Sequence, residues 1–181
     1  MRLETFIRFS AFGICALAIG SCATKPEIFP ASVIPLLSDK EKISLQSWFV
    51  QHPGYRLPTE AECNCAEDIQ QMRTSGSWGE PFPDYEPFVL RADFNKDGQG
   101  DFAVLAIRQQ PNEVALLIFN GPFGKTPRHP AYVQRLDWTE VTDIGLFLSY
   151  GNHWPLVGRF ESEGCVYDPK ADTYREDCDD L

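Results

Sequence analysis

The chain has 181 residues, 16 basic against 26 acidic side chains, a formal net charge of -10 and six cysteines. That length fits one domain with a real hydrophobic core, and 43% apolar residues with 13% aromatics exclude wholesale disorder. The acidic balance excludes a nucleic-acid partner, which calls for a basic patch, and a polybasic membrane-surface protein.

The chain starts with Arg2 and Arg8 around an apolar run from Phe9 to Ile19. This run is too short to cross a bilayer, which takes about 20 residues, and has the build of a secretory signal peptide. Ile19-Gly20-Ser21-Cys22 resembles a bacterial lipobox. The resemblance implies cleavage after residue 21, a diacylglyceryl thioether and an acylated amine on Cys22, and a stable anchor of several acyl chains. Ala23 in place of Asp at the next position implies an outer-membrane address, facing the periplasm. Ordinary cleavage with an incidental Cys22 is the alternative. Removing residues 1–21 takes away two Arg and one Glu, leaving 14 positive and 25 negative side chains, or -11 over 160 residues. Residues 22–38, with Pro26, Pro30 and Pro35, read as a tether, and 39–181 as a single domain.

Two helices are expected next. Ile43, Leu45, Trp48, Phe49 and Val50 supply the apolar face of the first, which starts at Asp39 and ends before His52-Pro53-Gly54. Thr59-Glu60-Ala61-Glu62 is a capping-box pattern that opens a second helix running to about Arg73. Residues 74–87 carry Gly76, Gly79, Pro81, Pro83 and Pro87 and read as a loop. Beyond it the apolar runs 88–90, 102–107, 114–119, 132–138, 144–150 and 156–160 are short and bounded by Gly, Pro, Asn or Asp. Such spacing predicts an antiparallel meander. A last hairpin pairs 165–167 with 173–175 around a turn centred near Lys170. The class is therefore α+β, with two N-terminal helices followed by an antiparallel β meander.

Between the first two of those strands lies Asp93-Phe94-Asn95-Lys96-Asp97-Gly98-Gln99-Gly100-Asp101. Oxygen side chains alternate along it at Asp93, Asn95, Asp97 and Asp101, and Gln99 can offer its main-chain carbonyl. A hard cation such as Ca²⁺ takes six to eight oxygen ligands, which this alternation supplies, and Gly98 permits the sharp turn. An EF-hand would need Glu where Val104 stands, and a helix on each side. The strand–loop–strand context resembles instead the calcium-binding hairpin of FG-GAP/VCBS-type repeats, D-x-[DN]-x-D-G-x-x-D followed by an apolar strand. The resemblance covers about 20 residues and implies a structural Ca²⁺. A propeller is not implied, since one copy is present. A metal-free Asn/Asp/Gly turn is the alternative.

Cys15 leaves with the signal and Cys22 is assigned to lipid, so Cys63, Cys65, Cys165 and Cys178 are expected to form two disulfides. Cys63–Cys65 would close a very tight loop, and the expected pairing sends each of them to one of the C-terminal cysteines. A four-thiolate zinc site fits the Cys-x-Cys spacing poorly. His52, His129 and His153 sit in loop contexts, and no P-loop, dinucleotide fingerprint, zinc-protease motif or serine elbow occurs. Trp78, Phe82, Tyr85, Phe88, Trp138, Tyr150 and Trp154 could line a surface for a protein or glycan partner, or simply pack the core. The expectation is a lipid-anchored, calcium-stabilised envelope protein with a binding or structural role. The alternative is an extracytoplasmic hydrolase that uses carboxylates of the acidic β half.

Overall fold

The computed structural model describes residues 29–31, 33, 35–76, 81–110, 112–149, 153–160, 164–171 and 173–178. The signal segment, Cys22, Trp78, Tyr150 and the C-terminal acids Asp179 and Asp180 lie outside the described residues.

Helix α1 spans Asp39–Gln51. Ser38 and Glu41 close a capping box at its start, with the Ser38 N–H donating to Glu41 Oε2 at 2.6 Å and the Glu41 N–H to Ser38 Oγ at 3.4 Å. The buried stripe is Glu41, Ser44, Leu45, Trp48 and Phe49. Ile43 and Val50, expected in that face, are exposed at 40% and 72%. The buried Glu41 carboxylate is met by Arg91 at 2.9 Å, which satisfies an otherwise costly buried charge.

The second expected helix is broken in two, α2 at Glu60–Cys63 and α3 at Ala66–Thr74. Asn64 takes a left-handed conformation (φ 56°) between them, and Cys63 and Cys65 on either side of it are disulfide-bonded. A helix cannot continue through a left-handed residue, and Asn pays less for that conformation than most. The capping box still holds, since Glu62 Oε2 accepts from the Thr59 N–H at 2.9 Å.

The strands form two antiparallel sheets where one meander was expected. The first holds β1 (Tyr55–Arg56), β2 (Val89–Ala92), β3 (Asp101–Gln109), β4 (Asn112–Phe119) and β5 (Tyr132–Leu136). Its order is β1-β3-β4-β5, and β2 also pairs with β3. Because β4 takes one edge of β3, β1 and β2 share the other, with Tyr55 opposite Arg108 and Val89 opposite Val104. The second sheet is the sequential meander β6 (Ile144–Leu148), β7 (Pro155–Arg159), β8 (Gly164–Lys170) and β9 (Thr173–Asp177). The fold is thus mixed helix and antiparallel sheet, and mostly β.

Both faces of the first sheet are covered. Phe102, Val104 and Ala106 of β3, with Ala115, Leu117 and Phe119 of β4, pack with Leu45, Trp48 and Phe49 of α1. The alternate residues Ala103, Leu105, Val114, Leu116 and Ile118 pack with α3 and with Ile144, Leu146, Val157, Tyr167 and Tyr174 of the second sheet. Double coverage explains why β3 and β4 read as continuous apolar runs rather than alternating ones. Val33 and Leu37 are also buried in the α1-side cluster, and Phe29 packs on Phe49. The described part of the expected tether, from Phe29 onward, therefore belongs to the packed domain. No described helix is long and apolar enough to cross a membrane.

The disulfides are Cys63–Cys65 and Cys165–Cys178, which overturns the cross-pairing expected from sequence. Strand β8 runs on through Asp168, Pro169 and Lys170, and with Ala171 (φ 48°) in the turn the hairpin centres one to two residues beyond Lys170. With Lys170 opposite Thr173 and Val166 opposite Asp177, the ladder brings Cys165 level with Cys178.

Candidate functional site

The hairpin between β2 and β3 closes where Ala92 pairs with Asp101, leaving residues 93–100 as its loop. Phe94 is fully buried in the core between the sheets and pins the loop from beneath. Lys96 (φ 59°) and Gly98 (φ 83°) both take left-handed conformations, so the backbone reverses tightly around the Asx side chains.

Asp93, Asn95 and Asp97 are brought together on the outer side of this loop. Asp93 accepts the Asp97 N–H at 3.0 Å on Oδ1 and the Gly98 N–H at 2.9 Å on Oδ2. Asn95 Oδ1 accepts the same Asp97 N–H at 3.1 Å, and its Nδ2 donates to Asp97 Oδ2 at 3.1 Å. Asp97 Oδ1 accepts the Gln99 N–H at 2.8 Å. The side chains of Asp97 and Gln99 are exposed, and those of Asp93 and Asn95 are half-buried. Each carboxylate carries further lone pairs beyond these bonds, so the set remains a hard, all-oxygen donor group suited to Ca²⁺.

Asp101 has a different position. It is fully buried, and its Oδ2 accepts the N–H groups of Phe94 at 2.9 Å and Asn95 at 3.4 Å. Its Oδ1 accepts the Gly121 N–H at 2.8 Å. Burial pushes its carboxyl above the ordinary value, the three N–H donors oppose that, and the Asp97 charge adds to it. The carboxylates of Asp93, Asp97 and Asp101 do not all come within 4.8 Å of one another. Asp93, Asn95 and Asp97 are the mutually linked oxygen side chains of the loop, while Asp101 in this conformation holds the loop and its neighbour. Among the described residues one cluster of three acid or thiol ligand atoms does meet that distance, Cys165, Glu176 and Cys178. Its two sulfurs are bonded to each other, and the remaining group, Glu176, accepts the Tyr167 hydroxyl on Oε1 at 3.2 Å.

The bond from Gly121 to Asp101 draws the segment after β4 against the loop. A side chain at Gly121 would meet Gly100 O at 2.6 Å and Gln99 Cβ at 3.0 Å, so the close approach requires glycine. The segment is fastened further by Arg128 N–H to Ser44 Oγ at 2.9 Å, Arg128 Nε to Pro122 O at 3.0 Å, and Tyr174 hydroxyl to Asn120 Oδ1 at 2.7 Å. Burial, with Asp101 and Asp97 nearby, pushes the Tyr174 hydroxyl up, keeping it a protonated donor. Between these walls and the β8–β9 turn lies a cavity of about 620 Å³ lined by Asn95, Asp97, Asn120, Gly121, Arg128, His129, Ala131, Pro169 and Ala171. Sequence reasoning named two of these nine residues as site residues; the Asn120-Gly121-Pro122 turn was the available signal for the far wall.

The remaining expectations resolve individually. His52 stacks on Trp48 with ring centroids 4.2 Å apart. His153 has a left-handed backbone in the β6–β7 connection, and its N–H donates to Ser149 O at 3.1 Å. Of the proposed aromatic surface, Tyr85 and Phe88 are buried in the core, and Phe82 and Trp138 pack against it. These four act as packing, Trp154 is half-buried outside both clusters, and the exposed large hydrophobics among the described residues are Ile43, Val50 and Val133. The buried Asp168 is paired with Lys170 and, at 3.5 Å, Arg175. Comparison with protein families, characterised proteins and solved structures returned no match.

Proposed function

We propose that this chain is a lipid-anchored, calcium-stabilised protein of the bacterial cell envelope with a binding or structural role. The supporting observation is the loop 93–101, where Asp93, Asn95 and Asp97 converge as oxygen donors on a hairpin anchored by buried Phe94 and Asp101. A cation there would offset the repulsion between clustered acids and fasten the β2–β3 hairpin. Its role is structural, and the modest-affinity range of extracellular sites suits a compartment with millimolar calcium. The two disulfides agree with an oxidising location.

The lipid on Cys22 would hold the domain close to its membrane. Phe29, already packed on α1, is seven residues beyond Cys22, a span of about 23–25 Å when fully extended. Cys22→Ser is expected to move the mature protein from the membrane to the soluble fraction of a cell extract. Thermal unfolding in millimolar Ca²⁺ against EDTA tests the cation. Wild type is expected to melt several degrees higher in Ca²⁺, because a ligand at 100 times its Kd adds about 2.7 kcal/mol. Asp97→Ala is expected to lose that increment, and a wild-type melt indifferent to Ca²⁺ would refute the cation reading.

A further inference from the structure

We infer that the outer face of α1 and the adjoining face of β5 rest on a phospholipid leaflet, so that the domain lies on its membrane in one orientation. The inference rests on the lipid anchor proposed above and adds which side of the domain meets the bilayer.

Exposed apolar side chains are ordinary when scattered singly, but here they gather on one side. Among the described residues the exposed large hydrophobics are Ile43, Val50 and Val133. Ile43 and Val50 are seven residues apart on α1, within about 20° of one another on its solvent side. Val133 stands opposite Leu117 of β4, and Arg135 opposite Ala115. Both β4 residues lie on the face that α1 covers, so Val133 and Arg135 emerge on that face too. Trp48, Gln51, His52 and Val133 line one cleft of about 280 Å³, which sets Val133 beside the last turn of α1.

Charge distinguishes the same side. The net charge of -10 argues against attraction of the whole domain to an anionic surface, yet none of the 26 acids falls in residues 42–59 or 114–136. These stretches carry most of α1, then β1, and β4 through β5. The segment between β4 and β5 lies along α1, since the Arg128 N–H donates to Ser44 Oγ at 2.9 Å. Lys40, Lys125, Arg128 and Arg135 are exposed. Of the acids flanking these stretches, Asp39 is paired with Lys42 at 3.6 Å, Glu41 with Arg91 and Glu113 with Arg135, each at 2.9 Å. The acidic loop 93–101 borders this side at Arg128 and His129.

The anchor arrives on this side as well. Phe29 packs on Phe49 of α1, and Val33 and Leu37 are buried in the α1-side cluster. A lipid on Cys22 is therefore held within about 23–25 Å of α1. Residues 23–28 between them add one Lys and one Glu, which cancel. A domain tethered so closely at α1 meets the bilayer with this apolar, acid-poor face rather than with β8 and β9, which carry Asp168, Glu176 and Asp177.

The test is fluorescence quenching of the full lipidated chain in vesicles of phosphatidylethanolamine and phosphatidylglycerol. Under the anchor reading no native thiol is free, since Cys15 leaves, Cys22 is a thioether and the other four are paired. Val50→Cys and Gln70→Cys therefore each accept a single thiol-reactive fluorophore. Gln70 is the reference, exposed on α3 across the first sheet from α1. The label at 50 is expected to be quenched by doxyl lipids, at a depth of about 5–10 Å into the headgroup and acyl boundary, and the label at 70 by aqueous iodide alone. Adding Ile43→Asp/Val133→Asp to Val50→Cys is expected to return the label at 50 to iodide with the melting temperature unchanged. Equal responses of the two labels, or a label at 50 closed to both quenchers because a second copy covers it, would overturn the orientation and leave the anchor standing. Uptake of label by wild type would overturn the anchor, and the orientation with it.

Discussion

The two sheets of this molecule are built to different standards. In the first, six consecutive residues of β3 (101–106) and of β4 (114–119) are buried, because α1 covers one face and the second sheet the other. In the second, Ile144, Leu146, Val157, Tyr167 and Tyr174 face inward, while neighbours such as Leu156, Val166 and Arg175 are half-buried or exposed. Its last strand is secured by Cys165–Cys178 rather than by a second layer. The difference separates two roles. The first sheet is the rigid frame from which the oxygen-rich loop projects, and the second supplies the β8–β9 turn that completes the opposite side of the cavity.

The largest expected contrast comes from matched truncations. Leu116→Ala in the centre of β4 is expected to cost about 2–5 kcal/mol in denaturant unfolding, as fully buried leucines do. Leu156→Ala on the outer face of β7 is expected to cost about 1 kcal/mol or less. Equal losses would break the comparison.

Removing the staple comes next. Cys165→Ser/Cys178→Ser frees a 13-residue separation, worth about 3 kcal/mol of chain entropy. Hydrogen exchange is expected to quicken in β8 and β9 while β3 and β4 keep their protection. The Cys63–Cys65 bond closes a separation of two residues and contributes little by that mechanism.

The smallest effect is a matter of pH at the rim of the first sheet. The Arg56 guanidinium bonded to Glu62 at 2.6 and 2.9 Å holds that carboxyl down to about 2, from an ordinary 4.5. A depressed acid stabilises the fold above its unfolded value and loses that contribution as pH falls through the window from about 4.5 to about 2. Glu62→Gln is therefore expected to flatten the acid limb of stability between those pH values. An unchanged slope would show that the pair is solvated away.

How much was legible in the sequence follows the same division. The capping boxes at Ser38 and Thr59 and the apolar runs of β3 and β4 are local signals, and their elements lie within a few residues of expectation. The break at Asn64 was missed, although Cys63-Asn64-Cys65 was the available signal: all three are weak helix formers, and Asn tolerates the left-handed conformation. Strand patterns tell which residues face inward, not which strand lies alongside, so one meander was read where the chain leaves Leu136 to start a second sheet. A turn shifted by one or two residues changed the partner of Cys165, because register moves every facing pair. The loop ligands were readable as one contiguous motif. Arg128, His129 and Ala171 were not, since topology alone brings them to its side.

A crystal structure grown in calcium, with anomalous diffraction, decides whether the proposed calcium ion sits at Asp93, Asn95 and Asp97. One anomalous peak is expected at about 2.3–2.6 Å from oxygens of all three side chains, the range for Ca²⁺. A well-ordered loop with no peak above background, or a peak elsewhere on the surface, would contradict it.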